Sequence, residues 1–317
     1  MRYKVLVAAL SFSKSSSKPR QMLESAGCEL IWNTLGRPFS EEELVKIVPD
    51  VDAIIVGVDP ITGRVLEAGR QIKIVAKHGV GLDNIDVDTA TKLGIAVTNT
   101  PGANDDAVAD LTVGFLLAVA RQIPVADVAT KSGNWPRLIG TQVWGKTLGL
   151  VGLGRIGRGV AYRAKGFNMR ILAYDPYVDV SVARYLGVEL VSFNELLSES
   201  DFVSIHVPLT EETRLLFDEE VLKKLKRGAY LINTSRGEIL DSVALKRALE
   251  EGHIAGAAVD VYWEEPPKDL AWLNTPGLIT TPHIGAYTRE ANEKMGLMVA
   301  ECVIKVLRGE KAPYQVN

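Results

Sequence analysis

The chain has little of what marks the specialised protein classes. Its two cysteines, Cys28 and Cys302, stand far apart in 317 residues, too few for the disulfide framework of a small secreted scaffold. No run reaches the ~18 apolar residues that span a bilayer. The apolar start, residues 1–10, is short and leads into Ser and Lys rather than a cleavage segment, so it reads as a buried first strand. Charge of one sign is also lacking: 36 Lys and Arg against 39 Asp and Glu leave a net charge of −3. That excludes a general attraction to nucleic acid or an anionic membrane, and any anion site must be built locally. Low-complexity tracts and short-period repeats are absent. Histidine is scarce, four in all, which narrows the choice of a general base. What remains is a cytoplasmic globular chain with 47% hydrophobic residues, long enough for about two domains, and nothing in it calls for a metal.

What is present begins with Thr147-Leu-Gly-Leu-Val-Gly-Leu-Gly-Arg-Ile-Gly157. Gly152, Gly154 and Gly157 lie between a short apolar run and an amphipathic one. The spacing suits a dinucleotide: one glycine for the tight turn, one for approach of backbone to a pyrophosphate, one for close packing of helix on strand. Arg155 and Ile156 belong to the same turn, and the pyrophosphate would sit at the helix N-terminus. Asp175 closes the next strand at the expected distance of about 20 residues, where an acid accepts from a ribose 2′-hydroxyl and repels a 2′-phosphate. No arginine follows it closely, so NAD is expected rather than NADP. The structural alternative for Asp175 is a turn residue before Pro176.

Short β-type runs alternate with helical ones along the chain, the rhythm of parallel sheets covered by helices. One set falls at 3–9, 29–32, 53–56, 72–76 and 96–100, and a second at 147–151, 170–174, 188–191, 202–207, 229–234, 255–261 and 278–281. Between them lies the apolar stretch 107–129, which Pro124 should break into two helices. A last helix, about 288–307, carries Met295, Met298, Val299, Cys302 and Val306 on one face as core packing. The glycine turn opens the second set. The cofactor domain is therefore expected in the middle of the chain, with the last helix returning to the first domain and a cleft between domains as the reaction site.

Oxidation of a 2-hydroxy acid needs a cation for the carboxylate and an acid/base for the hydroxyl proton. Arg236, in Asn233-Thr-Ser-Arg-Gly237 just past a strand, can hold a carboxylate through its fork of donors; the plainer reading is a surface arginine. Among the histidines, His253 reads as solvated in a turn, His206 as bordering the cofactor and His78 as facing substrate. His283, in Thr281-Pro-His-Ile-Gly285, has carboxylates within reach of a neighbouring strand end. A carboxylate bonded to it would stabilise the protonated ring. Spacing alone does not choose between Glu264 and Glu265.

These segments, with Gly79-Val-Gly-Leu-Asp-Asn-Ile-Asp86, Asn99-Thr-Pro-Gly-Ala-Asn104, Val108-Ala-Asp110, His206-Val-Pro-Leu-Thr210 and Asp260 to Pro266, resemble the D-isomer-specific 2-hydroxyacid dehydrogenases over nearly the whole chain. The resemblance implies two doubly wound parallel-sheet α/β domains. A Rossmann NAD-binding domain, residues 100–285, would be inserted into a flavodoxin-like substrate domain, residues 1–99 plus 286–317. It implies that Arg236 binds the substrate carboxylate, that His283 is the acid/base and that Glu265, directly before Pro266, tunes it. The backbone of Val80 and Gly81 would meet the substrate carboxylate. His206, Val207, Pro208, Thr213, Thr234, Ser235, Asp260, His283 and Gly285 would line the cofactor together with the glycine turn and Asp175. Asp110, where the family usually has Glu, is a mild departure assigned to helix packing. A formate dehydrogenase, which resembles a Gln–His site, is disfavoured by Glu265.

For the substrate, Lys77 stands where phosphoglycerate dehydrogenases resemble a basic contact to phosphate, and Lys14, Lys18 and Arg20 of the loop 11–18 could add charge. The plainer readings are a solvated lysine and a solvated flexible loop. The expectation is a short-type D-3-phosphoglycerate dehydrogenase of serine biosynthesis, without a C-terminal regulatory domain. A glyoxylate or hydroxypyruvate reductase is the alternative, and an NAD-sensing co-repressor is the rival from another class. An inactive relative is disfavoured by Arg236, Glu265 and His283 standing together. The apolar 104–145 region, with Trp135 and Trp144, is expected to form a homodimer interface.

Overall fold

The computed structural model describes residues 3–317. Contacts divide the chain into two compact units, Met1–Asn104 with Ala286–Asn317, and Asp105–Gly285. The first boundary lies at Asn104 rather than residue 99. The Thr100 backbone N–H and hydroxyl both donate to the Gly79 carbonyl, and Lys294 Nζ donates to the Gly102 carbonyl, which keep this segment with the first unit.

In the first unit, β1 (Tyr3–Val7), β2 (Cys28–Trp32), β3 (Ala53–Val56), β4 (Ile74–Lys77) and β5 (Ala96–Thr98) form one sheet in the order β2-β1-β3-β4-β5. All its strand pairs are parallel, and the order is that of a flavodoxin-like sheet. Central strands such as Ala-Ile-Ile-Val are buried at every position, because helices cover both faces of a parallel sheet. The helix Arg289–Leu307 packs Val299, Cys302 and Val303 into the cluster that holds Val5, Val7 and Ile55. Thr288 caps it by accepting from Ala291 N–H.

The second unit holds β6 (Thr147–Val151), β7 (Arg170–Tyr174), β8 (Glu189–Leu190), β9 (Phe202–Ile205), β10 (Ala229–Asn233), β11 (Ile254–Val259) and β12 (Leu278–Thr280). Their order, β12-β11-β10-β9-β6-β7-β8, is again parallel throughout. Numbered from β6 it reads 3-2-1-4-5-6 with a seventh strand added, the Rossmann order, and its direction reverses between β6 and β9. Ligands of such sheets bind at the carboxyl ends of the strands beside that reversal. The apolar stretch forms the helices Asp105–Ala120 and Ile123–Lys131, bent by 63°. The break falls at Gln122, which takes a left-handed φ of 53°, so Pro124 sits harmlessly in the first turn of the second helix. Among the described residues, no single helix is long and apolar enough to cross a membrane.

Candidate active site

Beyond β6 the chain turns at Gly152, whose φ is +99° and where a Cβ would lie 2.8 Å from the His206 carbonyl carbon. A Cβ on Gly157 would lie 2.2 Å from the Gly152 carbonyl oxygen. Neither position admits a side chain. Gly154 faces open space and is the N-cap of the helix Arg155–Ala164, which no side chain caps. The leading N–H groups are thus left for an anion, and the turn fits a pyrophosphate. Asp175, just past β7, accepts from Leu153 N–H at 2.8 Å and Tyr177 N–H at 2.9 Å. It therefore braces the glycine turn. Ile156 packs into the core under the turn, and Arg155 reaches Asp105 at 3.9 Å.

Past β9, His206 Nε2 lies 2.9 Å from Ser204 Oγ, and burial pushes its pKa down to about 4, so the ring is neutral at pH 7. Val207 accepts from Ser235 Oγ, and Thr213 donates to the Pro208 carbonyl at 2.7 Å. Thr234 is buried with its hydroxyl 3.0 Å from that of Thr112. The residues expected beside a cofactor thus meet at the carboxyl ends of β6, β7, β9 and β10.

Asn233, at the end of β10, accepts from Ser235 N–H at 3.0 Å and donates to the Arg236 carbonyl at 2.8 Å. Arg236 Nη1 donates to the Ser235 carbonyl at 2.7 Å. A Cβ on the next residue, Gly237, would lie 2.1 Å from the Tyr262 carbonyl carbon. Only glycine lets the Arg236 segment cross the loop after β11 so closely.

That loop carries the acid. Glu265 Oε2 lies 2.7 Å from His283 Nδ1, and Glu265 Oε1 accepts from Tyr262 N–H at 3.1 Å. With a carboxylate on Nδ1, that nitrogen carries the hydrogen and Nε2 is the one able to exchange a proton. Glu264, which spacing could not separate from Glu265, pairs instead with Lys268. His283 holds a left-handed φ of 53°, costing roughly 1–2 kcal/mol for a non-glycine residue. Asp260 stabilises it. Buried at the end of β11, its carboxylate accepts from Thr281 Oγ1 at 2.5 Å, Ile284 N–H at 2.8 Å and Gly285 N–H at 2.8 Å. This clamp was not foreseen, since its partners lie 21 to 25 residues away and no local pattern signals them. Asp260→Asn, which puts a donor against one of these N–H groups, is expected to cost about 1–3 kcal/mol. Calorimetry showing an unchanged Tm would discard the clamp.

In the first unit, Lys77 is buried at the end of β4 and its Nζ donates to the Gly57 carbonyl and Asn84 Oδ1, both at 2.6 Å. Val80 is exposed, its carbonyl accepting from Asn99 Nδ2 at 2.8 Å, and Gly81 follows it half-buried. His78 is the histidine expected to face substrate. It is buried, edge-on to Phe12, with Nδ1 3.0 Å from Ser11 Oγ, and burial pushes its pKa down to about 4. The loop 11–18 is not loose: Phe12 is buried, Ser15 binds Asn292, and Lys18 pairs with Glu293, while Arg20 just beyond it pairs with Glu24. His253 is half-buried in its turn, with its Nε2 covered.

Residues 113–285 match the family described as D-isomer specific 2-hydroxyacid dehydrogenase, NAD binding domain. The chain is 46% identical over 283 residues to the D-3-phosphoglycerate dehydrogenase of Methanocaldococcus jannaschii, covering 88% of this chain and 54% of that one. It is also 46% identical over 288 residues to the glyoxylate reductase of Korarchaeum cryptofilum, covering 88% and 87%. The apo structure of D-lactate dehydrogenase from Escherichia coli matches with a TM-score of 0.88 at 31% identity, covering 99% of this chain and all of that one. The chain spans about half the length of the phosphoglycerate dehydrogenases it matches.

Proposed function

The chain belongs to the D-isomer-specific 2-hydroxyacid dehydrogenases, and from that premise we propose that it interconverts a D-2-hydroxy acid and its 2-oxo acid. NAD, the cofactor of this family's domain, supplies the hydride acceptor at its nicotinamide when bound. Gly152, Gly154, Gly157 and the uncapped helix after them would hold its pyrophosphate, and Asp175 its ribose. Arg236 grips the substrate carboxylate with its planar fork. His283 Nε2 takes the hydroxyl proton in oxidation and returns it in reduction, while Glu265 fixes the ring and stabilises its positive charge. The observation that carries this reading is the 2.7 Å Glu265–His283 bond, made through Nδ1. The test is NADH formation with the D but not the L isomer of a 2-hydroxy acid. NADH binding without turnover of any 2-oxo acid would make the protein a sensor instead.

For the substrate, D-3-phosphoglycerate is the first reading, supported by the likeness to phosphoglycerate dehydrogenases and by a buried lysine ahead of the loop Gly79–Gly81. Glyoxylate or hydroxypyruvate is the second. It is favoured because Lys77 already has two oxygen acceptors, Lys18 and Arg20 are paired, and the match to a glyoxylate reductase covers most of that enzyme. Values of kcat/KM for 3-phosphohydroxypyruvate, glyoxylate and hydroxypyruvate separate them. If phosphate is bound, Lys77→Met should lower kcat/KM for the phosphorylated acid alone by about tenfold or more, near 1.4 kcal/mol. Equal losses on all three would give Lys77 a structural task.

We also propose a homodimer through the 104–145 region. Val128, Trp135 and Ile139 are 64%, 83% and 92% exposed, and large apolar side chains so displayed mark an interaction surface. Ile139→Asp should leave a 34.5 kDa monomer in sedimentation; wild-type protein sedimenting only at that mass would refute the dimer.

A further inference from the structure

At the amino ends of β10 and β11, a cavity of about 130 Å³ opens between the helices Glu219–Lys224 and Ser242–Glu250. Its wall includes Lys223, Arg227, Arg247 and His253, with Glu219 and Glu251 as the acidic members. Glu219 is occupied by Lys223 at 2.7 Å and Arg247 at 3.0 Å, and these cations hold its carboxyl below the usual range. Among the described residues, Arg227 has no ion-pair partner. The His253 backbone is fixed from both sides, its N–H donating to the Ala248 carbonyl and its carbonyl accepting from Gly228 N–H at 2.7 Å. Its ring nitrogen Nε2 is buried with no hydrogen-bond partner. Buried ring nitrogens are normally satisfied, and His253 is the wall residue that carries such an unmet group.

We propose that this cavity binds a phosphate group, either the free ion or the head of a small phosphomonoester. Three basic side chains against two acidic ones rule against a cation. The volume is a few times a water's ~30 Å³ share and well below the ~300 Å³ at which drug-sized sites begin. One tetrahedral oxyanion is the occupant that matches both. Arg227 offers the planar fork suited to it, and Lys223, Arg247 and a ring N–H of His253 offer further donors. The site is separate from the proposed hydride-transfer site. It adjoins Arg227 and His253, which precede β10 and β11, whereas Arg236 and Asp260 follow those strands, about 17 Å of strand away.

The test is calorimetric titration of the full chain with inorganic phosphate and, separately, with glycerol phosphate. Saturable binding with Kd of about 1 mM or tighter is expected in wild type and in Arg236→Gln, which removes the competing cation of the active site. It should weaken at least about tenfold in Arg227→Ala, an exposed position whose truncation leaves the core intact, and in His253→Ala. The tighter of the two probes identifies the source of the phosphate. Absence of saturable binding, or binding lost in Arg236→Gln and unchanged in Arg227→Ala, would overturn the proposal.

Discussion

His283→Ala should lower kcat by about 10²-fold or more, the usual loss when a positioned acid/base is removed. The expectation rests on a chain of supports rather than on the histidine alone. Glu265 holds Nδ1, Tyr262 N–H holds Glu265, and the Tyr262 hydroxyl donates back to the Thr281 carbonyl at 2.7 Å. Asp260 grips both sides of His283 through Thr281, Ile284 and Gly285. The two loops are therefore tied in both directions, and the imidazole is preorganised instead of searching for its geometry. NADH binding measured by fluorescence should survive the substitution, because the glycine turn and Asp175 do not depend on His283. Near-normal turnover would remove His283 from the chemistry, and loss of cofactor binding would mean that the loop, not the proton transfer, had been broken.

The division of labour within this site explains what could be read from the sequence. The twelve strands among the described residues overlap the expected β-type runs, and central ones such as Ala53–Val56 and Phe202–Ile205 do so because a strand covered by helices on both faces must be apolar throughout. Their order could not be read run by run, since it follows from crossover connections that no single segment records. The glycine turn was legible for a local reason, the steric demands at Gly152 and Gly157 being satisfied within a few residues. The second task of Asp175, bracing Leu153 N–H across 22 residues, was not. Lys77 shows the same limit. A lysine at a strand end looks available from sequence, yet its ammonium meets a carbonyl at Gly57 and an amide at Asn84, on the loops beside β3 and β4. His78 is buried against Ser11 and Phe12, equally distant in the sequence.

Arg236 should prove as sensitive as His283, and in a way that charge alone does not explain. Removing the cation by Arg236→Gln is expected to reduce kcat/KM by about 10²- to 10³-fold, the scale of losing a donor aimed at developing charge. Arg236→Lys keeps the charge and should recover only a small part. A guanidinium presents parallel donors to a carboxylate in one plane, whereas an ammonium is a point charge on a flexible stem. The backbone supports are specific to this placement. Asn233 holds the Arg236 carbonyl, Nη1 is turned onto the Ser235 carbonyl, and the absent side chain at Gly237 lets the segment pass Tyr262. Such a seat orients the remaining donors of the fork, and a lysine cannot reproduce that orientation. Steady-state kinetics on the preferred 2-oxo acid decide the matter. Full activity in Arg236→Lys would reduce the residue to a source of positive charge, and full activity in Arg236→Gln would remove it from substrate binding altogether.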